Sequence, residues 1–278
     1  GVAALVSVPG NGRKAAVQGI LLIAAATSAV LTGAGALVTP QGRTVRLAAV
    51  QTQYGIYEKW RPENLMRQLE VLRSLTDRAA ARGARLVVWP ETASPGDPYA
   101  RPEVMKAIIR ASSSTTVAAG ALTGPPMLGP AARLAEGPVS IDQARNTLLF
   151  AGEGRVFGTY AKVAAFPYGE LGLRKGEGWT PVRTQVGIAA PLICWENAIP
   201  GASLRYAFSG ANVAVVAATL GWFGPRTDAQ YLAHSRMLAA ELRIPVVQSV
   251  NWGTSAIISP LGDVLATGPR GETTVVIA

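Results

Sequence analysis

Cysteine and histidine occur once each in the 278 residues, as Cys194 and His234. A single cysteine excludes an intrachain disulfide and any zinc site built on several thiolates. A single histidine excludes a histidine-rich metal cluster and argues against a Ser-His-Asp relay, so a hydrolytic base here is expected to be a carboxylate. Nothing in the chain asks for a metal or an organic cofactor. Charge is also sparse: 15% of residues are charged against 49% hydrophobic, which leaves ample material for a core. The charge present leans basic, with a net of +9. The arginines (Arg43, Arg46, Arg61, Arg67, Arg73, Arg78, Arg82, Arg85) are scattered, with no dense run and no interleaved aromatics, so no nucleic-acid partner is expected. A surface turned toward anionic lipid headgroups is the more natural use, and an ordinary solvated helix face is the bland alternative.

The longest uncharged run stands near the N-terminus. Ala15 to Gly42 contains no charged side chain and reads GILLIAAATSAVLTGAGALV through its middle. About 24 helical residues rise ~36 Å, enough to cross a hydrocarbon core of ~30 Å. We therefore expect one transmembrane helix over 15–42. A cleaved signal peptide with Ala34-Gly35-Ala36 as its processing site is the competing reading. Arg13 and Lys14 before the run and Arg43 and Arg46 after it nearly balance, so charge alone gives orientation little support. Residues 1–14 read as a tail; the apolar stretch Gly1 to Pro9 looks like the end of a longer membrane region. The domain that does chemistry is expected over 43–278.

In that domain, Val45 to Val50 reads as a buried strand. Pro62 to Arg82 reads as a helix, with Leu65, Leu69, Leu72 and Leu75 forming one apolar stripe and Pro62 in its first turn. Leu86 to Trp89 is a short strand stopped by Pro90. Glu103 to Ala111 reads as helix and Thr116 to Leu122 as strand. Asn146 to Ala151 and Arg155 to Ala161 flank Gly152-Glu153-Gly154, a hairpin signal. Gly187 to Ile193 leads into Cys194. Val213 to Ala218 and Val246 to Val250 read as strands either side of a helix over Ala229 to Leu242. Thr254 to Ser259 and Asp263 to Thr267 flank a second hairpin turn at Pro260-Leu261-Gly262. Pro125 to Gly137 is rich in Pro and Gly and reads as a loop. No internal repeat recurs at a fixed period. Alternating strands and helices with added hairpins imply an α/β fold with a mixed sheet covered by helices.

Three motifs sit at the ends of strand-like runs: Trp89-Pro90-Glu91, Tyr160-Ala161-Lys162 and Ile193-Cys194-Trp195-Glu196. A lone cysteine is more often an inert core residue. A thiol, a carboxylate and an amine together are the parts of a cysteine acyl-transfer site. On these motifs, VVWPE, YAKVAAFPYGE and ICWE, the chain resembles the nitrilase superfamily over roughly Arg46 to Gly262. That resemblance implies an α-β-β-α sandwich and a Glu-Lys-Cys triad of Glu91, Lys162 and Cys194. Four stretches resemble its apolipoprotein N-acyltransferase branch: VRLAAVQTQYGIYEKW, FPYGE, Gly221-Trp222-Phe223-Gly224, and the long run from Ala229 to Gly262. Departures from that branch are Ala218-Thr219-Leu220 in place of Ser-Asn-Asp, Trp195 in place of Tyr, Tyr231 in place of His, and Trp252 in place of Asn.

A neutral thiol is a poor nucleophile, so Cys194 needs a base, for which Glu91 is the candidate. Lys162 would favour the thiolate and, with a backbone N–H near Trp195, stabilise an oxyanion. The resemblance places Glu170 and Asn146 near the site; a solvated loop charge and a turn-forming Asn are the bland alternatives. Glu196 either orients the site or caps the next element. Trp195, Trp222 and Phe223 are candidates to line a substrate pocket, against the ordinary reading of such aromatics as core. Tyr231 and His234 read as structural. The resemblance implies a membrane-anchored protein with its domain on the periplasmic or extracytoplasmic face. Its partners would be a phospholipid acyl donor and a lipoprotein acceptor. With water as acceptor the same triad makes an amidase; a non-catalytic structural relative is the third possibility.

Overall fold

The computed structural model describes residues 17–28, 44–94, 96–124, 144–167, 169–170 and 172–278. The chain divides into two units, Gly1–Thr44 and Val45–Ala278.

In the first unit, residues 17–28 form a helix whose apolar side chains, among them Ile20, Leu21, Leu22 and Ile23, are exposed. It rises about 18 Å, short of the ~30 Å core of a bilayer. No helix among the described residues is long and apolar enough to cross a membrane, and of the helix expected over 15–42 the described part is 17–28. The rest of that span, the tail 1–14 and the expected loop over Pro125 to Gly137 lie outside the described residues.

The second unit holds twelve strands in two six-stranded sheets. The first sheet contains β1 (Arg46–Gln51), β2 (Ala84–Val88), β3 (Thr116–Thr123), β4 (Arg145–Gly152), β5 (Arg155–Ala161) and the last strand of the chain, β12 (Thr274–Ile277), in the order β12-β1-β2-β3-β4-β5. The second contains β6 (Val182–Thr184), β7 (Gly187–Ile193), β8 (Val213–Thr219), β9 (Val246–Asn251), β10 (Ala256–Ile258) and β11 (Val264–Thr267), in the order β11-β10-β9-β8-β7-β6. In each sheet three central strands are parallel, an antiparallel strand flanks one side and an antiparallel hairpin the other. Helices α1 (Leu65–Ala81) and α2 (Pro102–Ala111) cross between the parallel strands of the first sheet; α3 (Pro200–Ala207) and α4 (Pro225–Leu242) do so in the second.

Alternation along the strands builds the layers. Leu47 and Ala49 of β1 and Val213, Val215 and Ala217 of β8 enter the core between the sheets. Ala48 and Val50 face α1, where the expected stripe Leu65, Leu69, Leu72 and Leu75 is buried. Ala214, Val216 and Ala218 face α3 and α4. The result is the expected α-β-β-α sandwich.

The expected elements are present with shifted ends. The helix from Pro62 opens as a short 3-10 turn over Pro62–Asn64 before α1, and α4 starts at Pro225. The strand expected over Thr254 to Ser259 shrinks to β10, because the Thr254 N–H and hydroxyl both bond to the Asp228 carboxylate instead of a ladder. Two short edge strands, β6 and β12, and helix α3 were not foreseen.

Candidate active site

The site forms where strand ends from both sheets meet. Glu91 follows β2 through Trp89-Pro90. Lys162 follows β5, which runs in the same direction as β3 and so ends at the same edge. Cys194 follows β7 and opens a 3-10 turn over Cys194–Ala198. The backbone at Cys194 is left-handed (φ 57), as is that at Thr92 (φ 47). For a β-branched threonine this is a costly conformation, of the kind that persists when surrounding contacts over-determine it. Gly120 on β3 allows the turn at Glu91. A Cβ there would stand 2.0 Å from the Pro90 carbonyl oxygen and 2.9 Å from the Glu91 Cα.

The side chains of the first sheet form one buried cluster. Lys162 Nζ donates to Glu91 Oε1 at 3.1 Å and lies 2.8 Å from Glu170 Oε2. Asn146, on β4 and not in a turn, donates from Nδ2 to Glu91 Oε1 at 2.7 Å and to Glu170 Oε1 at 2.8 Å. Glu91 Oε2 accepts the Thr219 backbone N–H at 2.9 Å, the one direct bond from the end of β8 into this cluster. Glu170 is fixed further by the Phe166 N–H at 2.7 Å. Glu91, Lys162, Asn146 and Glu170 are thus brought together. The solvated-loop reading of Glu170 and the turn reading of Asn146 do not hold.

Glu196 is fully buried and accepts four hydrogen bonds. Its Oε1 takes the Val163 N–H at 2.7 Å and the Ala164 N–H at 2.9 Å; its Oε2 takes the Tyr160 hydroxyl and the Ile193 N–H, both at 2.8 Å. One carboxylate therefore ties the lysine loop of the first sheet to the cysteine turn of the second. Tyr231 on α4 donates its hydroxyl to the Cys194 carbonyl at 2.7 Å, a support for the turn that a bare tyrosine in a helix did not announce.

Electrostatics at the thiol is a contest. Burial first, then the Glu91 and Glu170 carboxylates, push the Cys194 thiol up; the Lys162 ammonium and the Trp195 backbone N–H work the other way and lose. Cys194 therefore rests protonated, and its proton must be removed for it to react. At Lys162 burial pulls the ammonium down, but Glu91, the Cys194 sulfur and Glu170 outweigh it and the net direction is up.

The expected pocket aromatics separate into two kinds. Trp195 is half-buried, its Nε1 donating to the Ala164 carbonyl at 2.9 Å. Trp222 and Phe223 are not core: they are 57% and 37% exposed. Phe166 packs edge-on against both Trp195 and Phe223, and Trp222 edge-on against Tyr57. One residue close to the cluster escaped the sequence reading altogether. Lys59, in the 3-10 turn Glu58–Trp60, is buried, and its Nζ donates to the Thr92 hydroxyl. Its only sequence signal was its place within the stretch VRLAAVQTQYGIYEKW. No group of His, Cys, Asp and Glu among the described residues is placed to hold a metal ion.

The sandwich and the sequence define a class. Residues 46–278 match the carbon–nitrogen hydrolase family, and the chain belongs to it; enzymes of this superfamily depend on a cysteine. Within it, the apolipoprotein N-acyltransferase of Gloeobacter violaceus is 29% identical over 285 residues, covering 94% of this chain and 52% of that protein. The apolipoprotein N-acyltransferase of Azotobacter vinelandii is 30% identical over 289 residues, covering 92% of this chain and 51% of that one. The chain spans about half the length of these curated relatives. Among solved structures, an amidase of the nitrilase superfamily from Nesterenkonia AN1 superposes with a TM-score of 0.68 at 20% identity, over 87% of this chain and 92% of that one, a likeness of fold.

Proposed function

We propose that this chain is the acyl-transferring domain of a membrane-anchored N-acyltransferase. Glu91 takes the proton of Cys194, and the sulfur attacks the carbonyl of a phospholipid acyl ester. The Trp195 N–H and Lys162 stabilise the oxyanion. Collapse expels the lysophospholipid alkoxide, which takes up the proton held by Glu91, and leaves an acyl thioester on Cys194. The terminal amine of a lipoprotein then attacks the thioester, loses a proton to Glu91 and releases the sulfur. Glu170 and Asn146 hold Lys162 and Glu91 in register, Glu196 positions the cysteine turn, and Trp195, Trp222 and Phe223 receive the acyl chain. The domain works on the extracytoplasmic face, anchored through the N-terminal apolar segment.

The observation that carries this reading is the pairing of a buried charged cluster with exposed aromatics, Trp222 and Phe223, linked to Trp195 through Phe166. A long acyl chain needs apolar surface leading to the thiol, and exposed Trp and Tyr suit a membrane interface. Similarity to two apolipoprotein N-acyltransferases over more than nine-tenths of the chain supports it. The second reading, an amidase with water as acceptor, is supported by the fold likeness to the Nesterenkonia amidase. The test is incubation of the membrane-embedded protein with a phospholipid carrying a labelled acyl chain, with Cys194→Ala as control. A labile adduct on Cys194 is the expected result. No adduct, on a Cys194 that still reacts with a small electrophile, overturns acyl transfer from phospholipid and leaves the amidase.

A further inference from the structure

Two lysines are buried next to Glu91 and its neighbour Thr92, and they are partnered differently. Lys162 has two carboxylates, at 3.1 and 2.8 Å. Lys59, 4% exposed, has one hydroxyl, that of Thr92, and among the described residues no carboxylate lies within ion-pair distance of it. An ammonium carries three donors, and Thr92 uses one of them. Its own neighbour Trp60 offers a ring face 5.0 Å from Nζ. The adjacent Glu58 is exposed and turned to Arg67. A buried cation with no carboxylate in contact among the described residues is costly, and an incoming anion would offset that cost.

Lys59 stands beside the charged cluster, since the Thr92 hydroxyl that it bonds belongs to the residue directly after Glu91. Burial pushes its ammonium down to about 8, while the charges of Glu91 and the Cys194 sulfur act against that fall. At 4% exposed it is hidden to a similar degree as Glu91, at 6%, and Cys194, at 7%. Lys162 is engaged by both Glu91 and Glu170, whereas Lys59 is a buried ammonium that touches no carboxylate among the described residues.

We propose that Lys59 is the anion seat of this site: it binds an anionic oxygen group of the substrate, a phosphodiester or a carboxylate, while Cys194 engages the carbonyl. The proposal rests on the reading of Cys194 as the reacting group but not on which acceptor follows. It makes Lys59 a residue that selects for charged substrates, a role separate from that of Lys162.

Cys194 is the only cysteine, so its alkylation reports on the candidate site directly. The rates with iodoacetate, which is anionic, and iodoacetamide, which is neutral, are measured by mass on the intact chain; in both the sulfur displaces iodide. Relative to free cysteine, the iodoacetate-to-iodoacetamide ratio should be raised about tenfold, fall back in Lys59→Met, and be restored in Lys59→Arg, the size expected of one focused charge. A thiolate-stabilising role alone would slow both reagents equally in Lys59→Met, and that result overturns the proposal, as does an unchanged ratio. Lys59→Gln replaces the Met variant if a melt shows the latter unfolded. If Cys194 reacts with neither reagent, its assignment as nucleophile falls, and the seat is judged by thermal stabilisation instead. Glycerophosphoethanolamine or succinamate should stabilise wild type and not Lys59→Met; stabilisation of both or of neither overturns it. Protection by the phosphodiester points to a phospholipid donor, and protection by the carboxylate to a soluble amide.

Discussion

The two sheets share one plan and carry different chemistry. Each has three parallel strands joined by two helices, closed by a hairpin on one side and a short antiparallel strand on the other. The first sheet delivers Glu91, Asn146 and Lys162, with Glu170 on the loop beyond; the second delivers Cys194. Neither half holds a complete site. The charged cluster is assembled by side chains of the first sheet bonding one another. The second sheet contributes the thiol, a backbone N–H at Thr219 and the Glu196 carboxylate that stitches the two. The difference teaches that reactivity here is a property of the seam, so substitutions should sort by which side of it they break.

The largest effect belongs to the thiol that the second sheet contributes. Cys194→Ala should abolish acyl adduct formation and any turnover while leaving the fold intact, checked by mass spectrometry of the labelled chain and a thermal melt. Retained turnover would sink the cysteine mechanism. On the first sheet, Glu91→Gln should leave the thiol in place but without the base we propose for it. Turnover should drop by about 10²–10⁴-fold, the usual contribution of a positioned acid or base. Alkylation of Cys194 at neutral pH should slow with it. Unchanged alkylation would move the base elsewhere.

Two further substitutions act on the scaffold of the comparison. Gly120→Ala puts a Cβ 2.0 Å from the Pro90 carbonyl oxygen, and backbone cannot swing aside as a side chain can. A loss of about 3 kcal/mol is expected, the upper end for overpacking, with the Lys162–Glu91 contact disrupted in a crystal structure of the variant. Glu196→Gln presents an amide donor to a site where three backbone N–H groups and a hydroxyl already need acceptors. It should cost about 2 kcal/mol in a urea melt, the scale of a lost hydrogen bond to a charged group. An equal loss in the double variant with Val163→Pro, which deletes one of those N–H donors, would confirm the stitch; full additivity would deny it.

The same contrast explains what could be read in advance. Strands whose inward and outward residues both face packed layers are apolar throughout, and Val213–Thr219 and Thr116–Thr123 were legible for that reason. The short strands β6 and β12 carry too little pattern, and β12 is a strand only because β1, more than two hundred residues earlier, offers its edge. The duplicated sheet plan was invisible as a sequence repeat because loops of unequal length destroy any fixed period. Glu91, Lys162 and Cys194 stood out because each closes a strand-like run. Lys59 did not, since its significance lies in being buried with no carboxylate in contact among the described residues, a fact that only the fold supplies. Glu196 was visible as a charge beside the cysteine, but its four donors come from residues 160, 163, 164 and 193, and only the folded seam gathers them.

The smallest predicted effect has the opposite sign and divides the two lysines. Lys162→Met should destabilise, because two buried carboxylates lose their counter-charge. Lys59→Met should stabilise, by about 1–3 kcal/mol at pH 7, because the burial of this charge outweighs its attraction to Glu91, and no carboxylate among the described residues pairs with it directly. The sign follows from linkage. The folded-state ammonium is held near 8 against its ordinary value of 10.5, so below about 8 both states are protonated and folding carries the full penalty. Between about 8 and 10.5 the folded protein has shed the proton that the unfolded chain still binds, and wild-type stability rises relative to the variant. Urea melts of wild type and Lys59→Met at pH 7 and pH 10 measure this difference; the facing groups Glu91 and Cys194 are common to both proteins. A gap that narrows toward pH 10, together with a lost preference for iodoacetate, would mean that stability is given up at Lys59 for recognition of an anion. A variant less stable than wild type at pH 7 would make Lys59 a counter-charge for the carboxylate cluster, equivalent in kind to Lys162, and would erase the contrast between them.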